Sequence, residues 1–135
     1  MFETQPYEAE TDGVVVRVQP AYLAGQSDPE GGRWVWAYQV SIENRRDHAV
    51  QLMARHWVIT DARGHVEQVR GPGVIGEQPV IRPGDTYTYA SGCPLSAPSG
   101  AMQGTYLMND DLGDAFEVVI PAFSLDVPGE RGRLN

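Results

Sequence analysis

Lysine is absent from the 135-residue chain, and all ten basic residues are arginines. Without lysine there can be no Schiff-base catalysis, no P-loop lysine and no serine–lysine mechanism. Cysteine is almost absent as well. The single thiol of Cys93 excludes an intrachain disulfide and a closed zinc site that needs several thiolate ligands. A lone cysteine is typical of a reducing compartment, so we expect a cytoplasmic protein.

Long hydrophobic runs and an excess of basic charge are also missing. Near the N-terminus the longest aliphatic run is Val14-Val15-Val16, which is far too short to span a bilayer. Residues 1–11 lack the basic and apolar regions of a signal peptide, so we expect neither export nor a membrane. Ten basic residues against 18 acidic ones give a formal net charge of -8, which argues against a nucleic-acid partner.

Glycine and proline are abundant, with 15 and 10 residues, and they separate short apolar stretches. This punctuation predicts many short strands and no long helix. The clearest strand covers residues 33–43, where one face carries Trp34, Trp36, Tyr38, Val40 and Ile42. Residues 50–60 carry apolar side chains on both faces, which predicts a central strand with both sides partly covered.

About seven antiparallel strands are expected in one domain that spans residues 1–135. They are residues 14–22, 33–43, 50–60, 65–70, 86–91, 101–109 and 115–120, with 122–126 as a continuation of the last. Their length and spacing predict an all-β fold, an immunoglobulin-like or fibronectin type III-like sandwich. Residues 1–10 and 128–135 show no periodicity, so we expect flexible termini around an ordered core of about residues 12–127.

The segment Gly71-Pro72-Gly73-Val74-Ile75-Gly76 matches the glycine spacing of a dinucleotide-binding loop. That motif holds a pyrophosphate only where it leads from a strand into a helix. Prolines at positions 79 and 83 disfavour a helix here, so we predict a connection between two strands. The alternative is an anion-binding nest of backbone N–H groups assisted by Arg55, Arg70 or Arg82.

No residue pattern points to catalysis. His48, His56 and His65 fit no zinc spacing, and Asp110, Asp111 and Asp114 predict a hairpin turn with a weak divalent-cation site as the alternative. The segment Ser91-Gly92-Cys93-Pro94 predicts a strand end that enters a turn with a buried thiol, not a nucleophile. We therefore predict a non-enzymatic protein without catalytic residues, a cofactor or a metal.

An ordered series of motifs runs through most of the chain. It comprises Trp36-Ala37-Tyr38, Arg55-His56-Trp57-x-Ile59, Gly71-x-Gly73-Val74-x-Gly76-x-x-Pro79, Pro83-Gly84, Tyr89-x-Ser91-Gly92-Cys93, Gly100-x-Met102-x-Gly104-x-Tyr106-x-Met108 and Ile120-Pro121-x-Phe123. This series resembles the ApaG family. The resemblance implies a fibronectin type III-like sandwich, a link to cobalt resistance and magnesium efflux, and use of the domain elsewhere as a protein-interaction module.

These observations predict an interaction module that binds a protein through a sandwich surface or an edge strand near the 71–76 loop. Val74 and Ile75 would supply apolar contacts there if their side chains were exposed. Two alternatives stay open. The resemblance implies that the same loop is a candidate pyrophosphate or nucleotide site, and a weak divalent-metal site would connect the chain with the efflux phenotype.

Overall fold

Alternating apolar and polar residues, broken by glycine- and proline-containing turns, divide the chain into nine β-strands. Residues 5–128 are described by a computed structural model. The strands are β1 (Tyr7–Thr11), β2 (Val14–Tyr22), β3 (Trp34–Asn44), β4 (Val50–Asp61), β5 (Val66–Pro72), β6 (Val80–Ile81), β7 (Thr86–Leu95), β8 (Gly100–Asp110) and β9 (Ala115–Leu125). Two single 3₁₀ turns, Ala24–Gln26 and Pro29–Gly31, lie between β2 and β3.

The strands form two antiparallel sheets that pack face to face. The first sheet has the order β1-β2-β3-β7, and the second has the order β5-β4-β8-β9, with the short β6 paired to the start of β4. The chain crosses between the sheets after β3, β6 and β7. The predicted all-β sandwich is confirmed. Within the described residues, no helix has the length and apolar character needed to cross a bilayer.

All seven predicted strands are present, and two further strands were not predicted. Disorder of residues 7–10 was the wrong expectation, because they form β1, which pairs with β2 along its full length. The ordered core therefore begins before residue 12. Glu8 and Glu10 mark the exposed face of β1, and this alternation was interpreted as a frayed end. Residues 1–4 and 129–135, also predicted to be flexible, lie outside the described residues.

Strand β7 continues past Ser91 to Leu95, so the turn predicted for Gly92-Cys93-Pro94 is wrong. These residues pair with β3 in continuous register, Gly92 with Ala37 and Pro94 with Val35. A proline is tolerated because β7 lies at the edge of its sheet, where only one side of the strand needs backbone hydrogen bonds. The sequence cannot show that a strand is an edge strand, and this caused the error.

Two β-bulges change which residues face the core. In β4 the register against β8 shifts between Leu52 and Ala54, so that Leu52 is buried before the bulge and Trp57 after it. The mixed apolar pattern of residues 50–60 thus reflects one extra residue, Met53, and not a strand covered on both sides. β4 does lie inside its sheet, as predicted. A second bulge in β9 lies beside Pro121, so that Ile120 and Phe123 both reach the core.

The two long sides of the sandwich differ. On the side that we call the sealed edge, β1 meets β9, the Tyr7 hydroxyl lies 3.1 Å from Ser124 Oγ, and Val119 N donates to Thr11 Oγ1 at 3.1 Å. On the opposite side, the open edge, β5 and β7 have no strand partner among residues 5–128 on their outer sides. The open edge therefore exposes strand edges of both sheets.

Aromatic residues fill the core between the sheets. Trp57 makes T-shaped contacts with Tyr38 and Phe123 at ring-centroid distances of 5.4 and 6.0 Å. Trp36 is fully buried and donates from Nε1 to the carbonyl of Asp126 at 2.8 Å. Edge-to-face ring contacts and satisfied indole groups are the arrangement that buried aromatics favour. The expectation that Trp57 serves as a buried core tryptophan is confirmed.

The turn between β8 and β9 is organised by a buried carboxylate. Asp110 is 3 % exposed at its side chain, and its Oδ2 lies 3.2 Å from Arg46 Nη2. Its Oδ1 accepts the backbone N–H groups of Leu112 and Asp114, both at 2.9 Å. The hairpin turn predicted for this segment is confirmed, and the carboxylate of Asp110 is committed to holding it.

Replacing this carboxylate should therefore destabilise the fold. We expect Asp110→Ala to lower the free energy of unfolding by about 2–4 kcal/mol, since Arg46 and two backbone N–H groups lose their acceptor. Asp111→Ala is the matched control, because the Asp111 side chain is half exposed and pairs only with His48; it should change stability by less than about 0.5 kcal/mol. Urea denaturation measures both, and equal losses would contradict this role of Asp110.

Candidate functional site

The bulge at Met53 anchors the segment that follows β5. The Met53 carbonyl accepts the N–H of Gly73 at 2.8 Å and Nε2 of Gln78 at 2.9 Å. On the other sheet, the Tyr87 hydroxyl donates to Glu77 Oε1 at 2.9 Å. The glycine-rich segment therefore bridges the two sheets and closes one end of the open edge.

The segment itself forms a tight turn. Val74 and Glu77 exchange two backbone hydrogen bonds of 2.8 Å each, and the two residues between them, Ile75 and Gly76, have φ values of +42° and +81°. Positive φ at both central positions is the signature of a type I′ turn. The predicted connection between strands is confirmed, and within the described chain no helix follows it. Val74 is buried at 1 % exposure, whereas Ile75 is 57 % exposed.

Each glycine of the motif has a structural reason. A Cβ on Gly71 would lie 3.0 Å from Nη2 of Arg55, so this glycine makes room for the guanidinium group. Gly73 has φ +58°, and a Cβ there would lie 2.0 Å from the carbonyl oxygen of Glu77. Gly76 supplies the second positive φ of the turn. The glycine spacing therefore arises from packing and turn geometry, and it needs no bound phosphate.

Arg55 is the charged residue that the fold brings to this segment. The bulge turns its side chain to the inner face of β4, in register with Gly71. Nη1 donates to the carbonyls of Pro72 and Gly73 at 3.0 and 2.9 Å. These two bonds hold the guanidinium group in one orientation and leave the N–H groups of Nε and Nη2 for another acceptor.

The other two predicted arginines lie elsewhere. Arg70 is in register with His56 on the outer face of the second sheet, where it lines a shallow groove. Arg82 follows β6 and pairs with Asp85 at 3.4 Å. The N–H groups of Gly73 and Val74 are already bonded to protein carbonyls. The structure therefore does not gather the predicted residues into one backbone cradle for an anion, and only Arg55 joins the loop.

A cavity of about 380 Å³ lies behind the loop, between the sheets at the open edge. Its lining includes the aromatic and aliphatic side chains of Tyr38, Trp57, Ile59, Val69, Val74, Ile75, Tyr89 and Met102. Arg55, Glu67, Ser91 and Cys93 add polar groups to the lining. Trp57, Val74 and Met102 are each less than 4 % exposed, so the cavity reaches the core.

The polar groups of the cavity other than Arg55 are held uncharged or engaged. Burial raises the pKa of Tyr38, and a hydrogen bond with Ser91 offsets part of the rise. Burial likewise raises the pKa of Tyr89, whose hydroxyl shares a hydrogen bond with Tyr106. Burial raises the pKa of the Cys93 thiol to about 11, the opposite of what a nucleophilic cysteine requires. The predicted buried thiol is confirmed.

The histidines do not meet. His48 lies 3.0 Å from Asp111, His56 lies 2.9 Å from Gln68 Oε1, and His65 lies 3.4 Å from Asp61. Within residues 5–128, no three histidine, cysteine, aspartate or glutamate side chains are grouped as a metal site would need. These contacts are local surface interactions.

Three cavity residues escaped the sequence analysis: Glu67, Val69 and Tyr89. A signal existed for β5, because Glu67, Val69 and Gly71 alternate along one face of the strand. What was missing was the pairing that places this face against Arg55 and Trp57. The lack of charge along β7 is also visible in the sequence, but its meaning depends on β7 being an edge strand.

Comparison with known proteins gives consistent relatives. A family model described as ApaG domain matches residues 24–110. The chain is 54% identical over 129 residues to Protein ApaG of Mesorhizobium japonicum and 57% identical to that of Paramagnetospirillum magneticum, covering 96% of this chain and 99% of each relative. The crystal structure of the putative ApaA protein from Bordetella pertussis is similar with a TM-score of 0.84 and 44% identity, covering 92% of this chain and 99% of that one.

The glycines of the loop can be tested by their different surroundings. We expect Gly73→Ala to lower the free energy of unfolding by about 2 kcal/mol or more, because its Cβ would collide with the Glu77 carbonyl at a positive φ. Gly76→Ala should cost only about 1 kcal/mol, because it shares the positive φ but its Cβ would meet no described atom within 4 Å. Urea denaturation of both variants decides, and a larger loss for Gly76→Ala would refute this account of the loop.

Proposed function

The chain belongs to the ApaG domain family, and we propose that this member is a non-enzymatic, cytoplasmic module that binds a protein along the open edge. The observation that carries the proposal is Ile75. This apolar side chain is 57 % exposed on the loop beside the open edge. Its backbone has φ +42°, a conformation that β-branched residues rarely adopt.

Ile75 is costly for the folded protein. A type I′ turn favours asparagine or aspartate before glycine, and a β-branched residue with positive φ costs about 1–2 kcal/mol. An exposed isoleucine offsets little of this by burial, since more than half of its side chain remains in water. Backbone strain that the fold itself does not need is concentrated at functional sites. Contact with a partner would bury Ile75 and give the residue a use.

Strand β7 supports the same surface. It is ten residues long, lies at the edge of the first sheet and contains no charged residue. Proteins normally protect such edges with charges, bulges or cover, because unpaired backbone groups bind other strands. β5, on the other side of the open edge, carries Glu67 and Arg70 and is protected in this way. An added strand from a partner would pair with β7 and reach Ile75 through the cavity mouth.

Other functions receive less support. Cys93 is too weakly acidic to act as a nucleophile at neutral pH, and Arg55, Arg70 and Arg82 lie apart. A link to cobalt resistance or magnesium efflux would follow from docking to a transport protein, without a metal bound to this chain. The net charge of -8 disfavours nucleic acid as the partner.

Replacing Ile75 should separate stability from binding. We expect Ile75→Asn to raise the free energy of unfolding by about 0.5–1 kcal/mol, because Asn-Gly is the preferred type I′ pair. The same change should reduce partner binding at least about tenfold, as loss of a buried apolar anchor does. The measurements are urea denaturation and affinity capture from the native cytoplasm, with quantification of each retained protein.

Two further variants complete this experiment. Leu112→Asn is the matched control, because Leu112 is 66 % exposed on the β8–β9 turn, away from the open edge. Ala90→Lys places a charge at an exposed position of β7 and should remove the same partner as Ile75→Asn. The proposal fails if no protein is retained selectively by wild type and Leu112→Asn and lost from the other two variants.

A further inference from the structure

We propose that the cavity between the sheets binds a free small carboxylate with an apolar body, with the carboxylate held by Arg55 and the body lying against Trp57. This site goes beyond the proposed protein-binding function, because it requires no partner and uses the interior of the open edge. Its evidence is the charge of Arg55, the apolar floor of the cavity and the position of Glu67.

Arg55 is a cation in need of a counter-ion. Among residues 5–128, the arginines at positions 17, 45, 46 and 82 each have a carboxylate within 4.0 Å. Arg33, Arg63 and Arg70 have none but are exposed to water. Arg55 has none and is half-buried. A partly desolvated guanidinium group gains most from a carboxylate, which can accept two parallel N–H donors.

The guanidinium group is also preorganised. The carbonyls of Pro72 and Gly73 take both protons of Nη1, and Gly71 lets the group lie flat against the strand. Nη2 and Nε remain as a pair of adjacent donors. Because the protein has already fixed the orientation of this group, a ligand would lose little further side-chain entropy on binding.

The rest of the cavity suits an apolar body. Beyond Arg55 its floor consists of Trp57, Met102 and Tyr89, each at most 6 % exposed. Its volume of about 380 Å³ falls in the range of small-molecule sites, about 300–1,000 Å³. A fully hydrated anion such as phosphate would leave this apolar floor unused. An aromatic or branched aliphatic body would fill it.

Glu67 sets the direction of the ligand. Along β5 the cavity-facing residues Glu67, Val69 and Gly71 pair with Ile59, Trp57 and Arg55 of β4. Four residues along a strand span about 13 Å, so the acidic and basic ends of the cavity lie about that far apart along the strands. Like charge at Glu67 repels a carboxylate. The acid group therefore lies at the Arg55 end, and the apolar body lies across Trp57.

The test compares two probes of one shape. The purified full chain is titrated with 3-phenylpropanoate and with its neutral amide, 3-phenylpropanamide, while NMR follows the indole N–H of Trp57, the Nε–H of Arg55 and backbone amides. We expect saturable shifts at Trp57, Arg55 and Gly92 with the acid, and at least about tenfold weaker binding of the amide. The pair of probes needs no mutation, so the result does not depend on whether a variant folds.

Matched variants locate the charge. Arg55→Gln should weaken binding of 3-phenylpropanoate at least about tenfold, whereas Arg70→Gln, on the outer face of the same strand pair, should leave it unchanged. Equal affinities for the acid and the amide, shifts confined to the outer face, or no shifts up to about 10 mM would each overturn the proposal.

Two further probes test the ligand class. Tighter binding of inorganic diphosphate than of 3-phenylpropanoate at Arg55 would overturn the apolar-body assignment. Tighter binding of an N-acetylated pentapeptide that ends in phenylalanine would overturn the assignment to a free small molecule, because the carboxylate would then belong to a protein chain. Since no protein partner is present in these titrations, their failure is distinguishable from failure of the docking function.

Discussion

The extra residue at Met53 is the constraint on which the site depends. Without this bulge, the side chains of Ala54, His56 and Val58 would continue the inner face begun by Val50 and Leu52. With it, Arg55, Trp57 and Ile59 face the other sheet. The carbonyl exposed at the bulge also anchors Gly73, so one local irregularity both turns the cavity residues inward and fixes the loop above them.

The unequal edges of the sandwich follow from how the chain covers them. β1 and the end of β9 share hydrogen bonds and an aromatic contact between Tyr7 and Phe123, which seals one side. At the other side β5 is shorter than β7, and the glycine-rich turn bridges the sheets at one end. The cavity, the uncharged edge strand and Ile75 therefore occur together at the open edge, since the same lack of cover produces all three.

The glycine-rich motif illustrates how far residue patterns reach. Its prolines and lack of a following helix were enough to reject a dinucleotide-binding loop, and the turn was predicted for the right segment. The particular roles of the three glycines were not predictable, because they depend on atoms distant in sequence. Gly71 meets the Arg55 side chain, and Gly73 packs against the Glu77 carbonyl. A sequence pattern records that space is needed, but not what fills it.

Alternation of apolar residues and the placement of turns determined the all-β class and seven of the nine strands from the sequence alone, because strand period and turn chemistry are local properties. The sequence by itself also determined the net charge, the lone thiol and the absence of lysine. Only the tertiary structure decided which strands lie at edges, where the bulges shift the register, and which arginine faces the cavity. These depend on pairing between distant strands, and a shift of one residue moves a side chain to the opposite face of the sheet.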